Sequence, residues 1–360
     1  MSKQGIWKEL REPIVLAPLA GGPATVDLAV AVADAGGLGY LAAGYRSAEE
    51  VRAQVQELRA RTARPFGVNV FVPSPAPADP ATYAAYVASL GSEAQRAGVA
   101  LGEPRYDDDA YAEKLAALEQ LRAPVVSFTF GCPSAADIGR LRAAGSEVWV
   151  TVTAPAEAEQ AAAAGADALV VQGAEAGGHR GGFGDGGDGD ALGLLALLQL
   201  VARQVDRPLV AAGGIATGAG VAAVLAAGAR AAQVGTAFLR CPEAGTAAVH
   251  REALASDRPT ALTRAFTGRT ARGIVNRFMR EHDAGAPRAY PELHFVTAPL
   301  RKAGREGGDG EVVNLWAGQA HQLAPERPAA EIVRELGAGA RAALAYAASA
   351  YAGSEGAASS

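Results

Sequence analysis

Ala163-Ala-Gly-Ala-Asp167-Ala-Leu-Val-Val-Gln172 carries the end of a helix, a glycine joint and a buried strand in one short run. Ala168 to Val171 is apolar without polar alternation. That is the pattern of a parallel strand covered on both faces. Gly165, just past the helix, supplies the left-handed cap that ends it. The same joint recurs in Asp34-Ala-Gly-Gly-Leu-Gly-Tyr-Leu-Ala42. It recurs again in Ala143-Ala-Gly-Ser-Glu147 before Val148-Trp-Val-Thr-Val-Thr153, and in Ala226-Ala-Gly-Ala-Arg230 before Ala231-Ala-Gln-Val234. Four copies of helix, glycine and strand imply repeated α-to-β units, and therefore a parallel sheet.

Further strand candidates are Pro13–Pro18, Phe66–Phe71, Val125–Phe130 and Pro208–Ala212. Strand starts then fall near residues 14, 38, 66, 124, 148, 168, 208 and 231, eight in all. Eight closes a (β/α)8 barrel, and an open doubly wound sheet is the alternative. Thr25 is placed to N-cap the first helix, with Leu28, Ala31, Val32 and Ala35 on its inner face. Residues 73–123 form an elaborated third connection. The Gly- and Asp-rich run 181–190 reads as a mobile loop, because its Asp spacing does not match a calcium-binding helix–loop–helix. After Arg240 the β/α alternation stops. The division expected is a barrel over 1–240 and a helical lid over 241–318. A C-terminal helix over 319–352 then returns to the barrel, and 353–360 is a disordered tail.

Composition narrows the function. Of the 360 residues, 49% are hydrophobic and 20% charged, with a net charge of −5, which argues against a nucleic-acid footprint. No apolar run is long enough to span a bilayer and the N-terminus lacks the apolar core of a signal peptide, so a soluble cytoplasmic protein is expected. Cys132 and Cys241 are the only cysteines, too few for a disulfide framework or a cysteine zinc site, and no metal is expected.

The chemistry is concentrated where strands end. After Gln172 the chain runs Gly-Ala-Glu-Ala-Gly177-Gly178-His179-Arg-Gly-Gly-Phe183. A glycine-rich loop at the C-terminal end of a buried strand, carrying the one side chain that titrates near neutrality, is a candidate active site. The strand at 208 ends in Ala211-Ala-Gly-Gly214-Ile-Ala-Thr-Gly218. The strand at 231 ends in Gln233-Val234-Gly235-Thr236. In a barrel these loops are neighbours. Their backbone N–H groups and the following helix N-terminus suit a single phosphate. With no Walker lysine and no Gly-x-Gly-x-x-Gly after the first strand, a triphosphate or a Rossmann-bound dinucleotide is disfavoured. Asn69, inside an apolar strand, and Gln172 carry amides that need partners, and a heteroaromatic ring supplies both donors and acceptors.

As a set, these motifs, together with Ala17-Pro-Leu-Ala20-Gly21-Gly22-Pro23 and Phe66-Gly-Val-Asn69-Val-Phe71, resemble the FMN-dependent nitronate monooxygenases. The resemblance spans about residues 10–345. It implies a (β/α)8 barrel with a lid, one non-covalent FMN, and oxygen as electron acceptor. His179 would be the active-site histidine. Ala20, Gly21, Gly22, Asn69, Gln172, Gly177, Gly178, Gly214, Gln233, Val234, Gly235 and Thr236 would hold FMN. Tyr106, Tyr290 and Lys302 are pocket candidates by rough position. Leu19 departs from the family's frequent methionine, with apolar character kept. The implied reaction is oxidation of an alkyl nitronate, such as propionate 3-nitronate, to a carbonyl compound and nitrite, a detoxification, by a monomer or homodimer. The alternative on the same scaffold is an FMN-dependent enoyl-acyl-carrier-protein reductase, with the arginines of 264–280 meeting the acidic carrier. Cys132, in Gly-Cys-Pro at a strand end, would serve as nucleophile in a third reading, a barrel dehydrogenase of nucleotides.

Overall fold

A computed structural model describes residues 5–184 and 191–357. The strands, in chain order, are β1 (Ile14–Leu16), β2 (Gly39–Ala42), β3 (Phe66–Phe71), β4 (Val125–Thr129), β5 (Glu147–Val152), β6 (Ala168–Gln172), β7 (Gly178–His179), β8 (Leu209–Ala212), β9 (Ala231–Val234), β10 (Thr260–Thr263) and β11 (Ala271–Ile274). Eight of them form one parallel sheet in the order β1-β9-β8-β6-β5-β4-β3-β2. A parallel bridge between Val15 and Leu38 brings its two edges together, so the sheet is a barrel.

All four expected joints form. Gly36, Gly145, Gly165 and Gly228 follow their helices at φ of 103, 102, 104 and 100°, a left-handed backbone that glycine adopts without strain. Thr25 caps its helix by accepting from Leu28 N–H at 3.0 Å. The floor of the barrel is aromatic: Trp7 stacks on Trp149 at 5.0 Å between ring centroids, 8° from parallel. The Glu147 carboxylate ties that N-terminal turn down by accepting from Ile6 N–H at 2.7 Å.

Three features differ from expectation. Residues 241–318 are not wholly helical, since β10 and β11 pair antiparallel there and β7, from the His179 loop, joins β11. Thr260-Ala-Leu-Thr and Ala271-Arg-Gly-Ile are too short to show a period, and the ladder arises from pairing with a distant segment. The elaborated third connection belongs with this layer. Its Tyr83, Tyr86 and Leu90 share one apolar core with Phe266, Phe278 and Leu293. The last helix, Ala329–Ala357, extends past the expected start of the tail at residue 353, since alanine-rich sequence continues it. Residues 358–360, and 185–190 of the loop expected to be mobile, lie outside the described residues. Phe183, just before the latter, is held by N–H donation to Glu157 at 2.8 Å. That last helix returns to the barrel at the helix Gly218–Ala226, where Gly339 comes so near that a methyl on Gly218 would lie 2.5 Å from its backbone.

Close helix-on-sheet packing makes one stability prediction. A methyl at Gly39 would sit 2.1 Å from the Ala29 carbonyl oxygen, backbone that has nowhere to move. Gly39→Ala is expected to lower unfolding free energy by about 2 kcal/mol or more. Gly139, exposed within the helix Ala135–Ala144, has open space where a methyl would go, with nothing within 4 Å, and gives the opposite sign. Gly139→Ala is expected to stabilise by roughly 0.5–1 kcal/mol. Denaturant unfolding of the two variants checks both.

Candidate active site

The loop after β6 is fastened from both sides. The Gln172 side chain spans it, with Nε2 donating to the His179 carbonyl at 3.1 Å and Oε1 accepting from Gly181 N–H at 2.8 Å. Arg180 reaches back to donate to the Gly173 carbonyl at 2.7 Å. Gly177 crosses the backbone of Ala317 and Gly318 so closely that a methyl would lie 2.5 Å from it. Gly178 turns the chain at φ 75°, and β7 then pairs Ala271 with His179. The imidazole is therefore carried on a short strand of the lid sheet as well as on a barrel loop.

This loop closes one side of a cavity of about 540 Å3 at the C-terminal ends of the barrel strands, within the size range of small-molecule sites. Ala20, Gly21 and Gly22 line it after β1, Asn69 from β3, and Gln172, Gly177, Gly178 and His179 from β6 and its loop. Gly214 lines it after β8, and Gln233, Gly235 and Thr236 at the end of β9. Glycine is required at several of these places: Gly21, Gly22, Gly213 and Gly214 take φ of 84, 131, 125 and 67°. The backbone N–H groups of Gly214, Gly235 and Thr236 have no protein acceptor among the described residues, so they are available to a phosphate. Asn69 Nδ2 donates to Ser127 Oγ and Thr129 Oγ1, both at 2.9 Å. Its Oδ1, with no protein donor among the described residues, is left for a ligand N–H. A phosphate-bearing heteroaromatic ligand fits these groups.

Four expected positions fall elsewhere. Val234 alternates with Gln233 along β9, so its side chain turns into the apolar core. Tyr106 is surface-exposed, its hydroxyl donating to the Ser74 carbonyl at 2.7 Å. Lys302 is also exposed and pairs with Glu306 one helical turn away at 2.5 Å. Neither lines the cavity. Tyr290 lines a second, adjoining cavity, yet its ring lies 5.7 Å from that of His179 and its hydroxyl donates to Tyr45 at 3.1 Å.

His179 sits in an aromatic cage. Phe130, Tyr290 and Trp316 approach it at 5.7, 5.7 and 5.5 Å between centroids. Its Nε2 lies 2.9 Å from Thr267 Oγ1. Burial, reinforced by the positive charges of Arg269 and Arg301, pushes its pKa down from 6.5 to about 3. The resting imidazole is neutral. His250, also on the cavity wall, is held at about 4 by burial, against a carbonyl bond to Trp316.

Sequence reading missed Tyr45, Thr267, His294, Arg301 and Asn314, all of which line the cavity. One signal was present. His294, Ala298, Arg301 and Arg305 fall at i, i+4, i+7 and i+11, a single face of the helix Glu292–Gly307. That face lines the cavity, while Leu293, Val296 and Leu300 fill the core behind it. Cys132 lies in the adjoining cavity, half-buried, with its thiol pKa raised by burial, the reverse of an activated nucleophile.

A model of the nitronate monooxygenase family matches residues 3–339. The chain belongs to that family. It is 42% identical over 341 residues to a nitronate monooxygenase of Pseudomonas aeruginosa, covering 91% of this chain and 95% of that one. To the Paraburkholderia phytofirmans nitronate monooxygenase it is 41% identical, covering 90% and 91%. Among solved structures, the nitroalkane oxidase of Streptomyces ansochromogenes superposes with a TM-score of 0.92 at 49% identity, covering 95% of this chain and 99% of that one. FabK of Thermotoga maritima superposes at 0.77 with 26% identity, covering 97% and 99%. This family member is thus a barrel oxidoreductase, and the family implies a flavin for the cavity. No helix among its described residues is long and apolar enough to cross a membrane.

The neutral histidines give a pH prediction. Unfolded, His179 and His250 each bind a proton below about pH 6.5; folded, they resist it until about 3 and 4. The unfolded state takes up protons first, so stability falls as pH drops through this window, by up to ~1.4 kcal/mol per pH unit for each. Denaturant midpoints between pH 7.5 and pH 5 measure the slope, and His250→Gln is expected to flatten it.

Proposed function

We propose that the cavity binds FMN and that the enzyme oxidises alkyl nitronates with oxygen, releasing a carbonyl compound and nitrite. The carrying observation is His179, caged, neutral and fixed on the cavity wall. Gly214, Gly235 and Thr236 would hold the phosphate through their free N–H groups, with Asn69 Oδ1 and Gln233 toward the ring. When bound, the flavin supplies the electron acceptor that side chains lack, and oxygen takes the electrons on.

The chain's own part is proton control and electrostatics. The Thr267 hydroxyl donates to the Arg269 carbonyl at 3.3 Å and so accepts from His179 Nε2–H. Nδ1 keeps its lone pair, with no protein partner among the described residues, and is the base that takes the α-proton of a neutral nitroalkane. Having taken it, the imidazolium faces the nitronate that it made. A nitronate that arrives already ionised needs no such transfer and meets the neutral imidazole directly. Arg269 and Arg301 add positive potential without delivering a proton. The phenyl and indole rings around the imidazole keep water from the reacting carbon.

The basic run that would suit an acidic carrier protein is largely withdrawn from the surface. Arg269 and Arg272 are buried, and Arg277 is paired with Glu93 at 2.7 Å. Of the run, Arg280 is the exposed member and lies 3.5 Å from Glu311, so little of the feature behind the reductase alternative reaches the surface.

Nitrite release from propionate 3-nitronate by the purified yellow protein under air is the direct test; a yellow protein that releases none refutes the reading. Fast anaerobic bleaching by NADPH would favour the reductase instead. His179→Asn is expected to retain FMN while slowing nitroethane turnover by about 10²–10⁴-fold, with a smaller loss on ethyl nitronate, which needs no deprotonation.

A further inference from the structure

Arg301 is a buried cation without a counter-ion. It is 6% exposed, and Nε donates to Thr297 Oγ1 at 3.1 Å while Nη2 donates to the His294 carbonyl at 2.6 Å. Among the described residues no carboxylate pairs with it, and Nη1 has no acceptor. Other strongly buried charges have ionic partners or, like Arg272 on the Ala174 carbonyl at 2.8 Å, are held by backbone carbonyls. Lys114 pairs with Asp109 at 2.7 Å, and Glu93 with Arg277 at 2.7 Å. Arg269 donates to the carbonyls of Arg180 and Gly182 and lies 4.1 Å over the Phe130 ring. Arg301 differs in that it lines the cavity with Nη1 unused, so a ligand there can complete a guanidinium withdrawn from water.

Its position says which part of a ligand that would be. Arg301 lines the same cavity as His179, and a chain of contacts links them: Arg301 Nη2 lies 3.4 Å from His294 Nδ1, the His294 ring 6.4 Å from that of Tyr290, and the Tyr290 ring 5.7 Å from that of His179. Tyr45 stacks on His294 at 4.3 Å, and Tyr290 touches Tyr45 on one side and His179 on the other. The guanidinium and the imidazole are thus joined through two intervening rings, His294 and Tyr290. A guanidinium fork matches a flat, two-oxygen anion, while the free backbone N–H groups at Gly214, Gly235 and Thr236 already suit a phosphate elsewhere in the cavity. Arg305, further along the same helix face, also lines the cavity and adds to the field.

We propose that Arg301 is the specificity-determining residue of this enzyme, binding a carboxylate that the substrate carries a few bonds from its reacting carbon. The inference rests on the function proposed above and deepens it. The lowering of the Arg301 pKa to about 10 by burial agrees with a guanidinium still charged at neutral pH and awaiting an anion.

The test compares two nitronates of one chain length, propionate 3-nitronate and propyl 1-nitronate, on the FMN-loaded enzyme. In Arg301→Gln the ratio of their kcat/KM values is expected to fall about 30-fold or more, chiefly through KM for the carboxylate substrate, with Arg301→Lys recovering part of it. A ratio within fivefold of the unmodified enzyme overturns the proposal, including the case in which both substrates lose equally because Arg301 holds the nitronate itself. A second measurement needs neither turnover nor a folded variant. Propanoate should perturb the flavin spectrum of the unmodified enzyme with a Kd at least tenfold below that of propanamide, and equal affinities overturn the proposal. Failure to release nitrite from either nitronate would defeat the proposed function while leaving this binding result to be read separately.

Discussion

The backbone crossing at Gly177 is the constraint on which the site depends. Barrel and lid meet there at a separation that excludes even one methyl group. Only because the loop passes beneath Ala317 and Gly318 can Gly178 and His179 add a strand to β11. Only because that strand forms does the imidazole meet Thr267, which lies between β10 and β11. The Gln172 amide closes the loop at its base and prevents it from sliding. A histidine on an unfastened loop would sample many positions, whereas proton transfer requires a donor–acceptor approach held to a fraction of an ångström. The lid therefore fixes the position of the imidazole as well as covering it.

The same cavity has a consistent electrostatic design. No aspartate or glutamate lines it among the described residues, while Arg301, Arg305 and the neutral His179, His250 and His294 do. Glu175, next to the glycines of the loop, is the nearest exception in sequence, and its carboxylate turns away to cap Leu194 N–H at 2.9 Å. Such a wall, with arginines and no carboxylate among its described residues, favours anions. It also explains why the histidines stay neutral. Burial disfavours the imidazolium, and the arginines that attract the anion disfavour it further.

How much of this was readable follows from the kind of signal each part carries. The barrel is local. Each helix, glycine and strand unit is spelled in about ten consecutive residues, and Gly36, Gly145, Gly165 and Gly228 all adopted the cap that their spacing implies. The glycine turns after β1, β8 and β9 were equally legible, because a backbone that must face a ligand leaves glycine in the sequence. The lid is not local. Tyr83 and Phe266 meet across a long stretch of chain, and β7 and β11 are too short to show alternation. Position by analogy failed for Tyr106 and Lys302, which point to solvent, while Arg301, beside Lys302, points inward. Adjacent helix residues differ by about 100° in direction, so an error of one position exchanges the inside for the outside.

Backbone strain marks two further cavity-lining positions that composition could not reveal. Tyr45 and Phe130 follow β2 and β4 at φ of 65 and 79°, a region that disfavours bulky side chains. Both rings face the site, Tyr45 stacked on His294 and Phe130 edge-on to His179. Each conformation is held by groups outside its own strand. Tyr45 N–H donates to Asp109 at 2.8 Å, and Asp109 is itself pinned by buried Lys114. Phe130 N–H donates to the Gly181 carbonyl at 3.0 Å, at the end of the histidine loop, and its ring lies beneath Arg269. Local preference would place other residues at these turns. That aromatic residues occupy them, each anchored by a dedicated partner, indicates that the position of the ring is what the fold maintains there, and that the strain is balanced by contacts on both sides of the cavity.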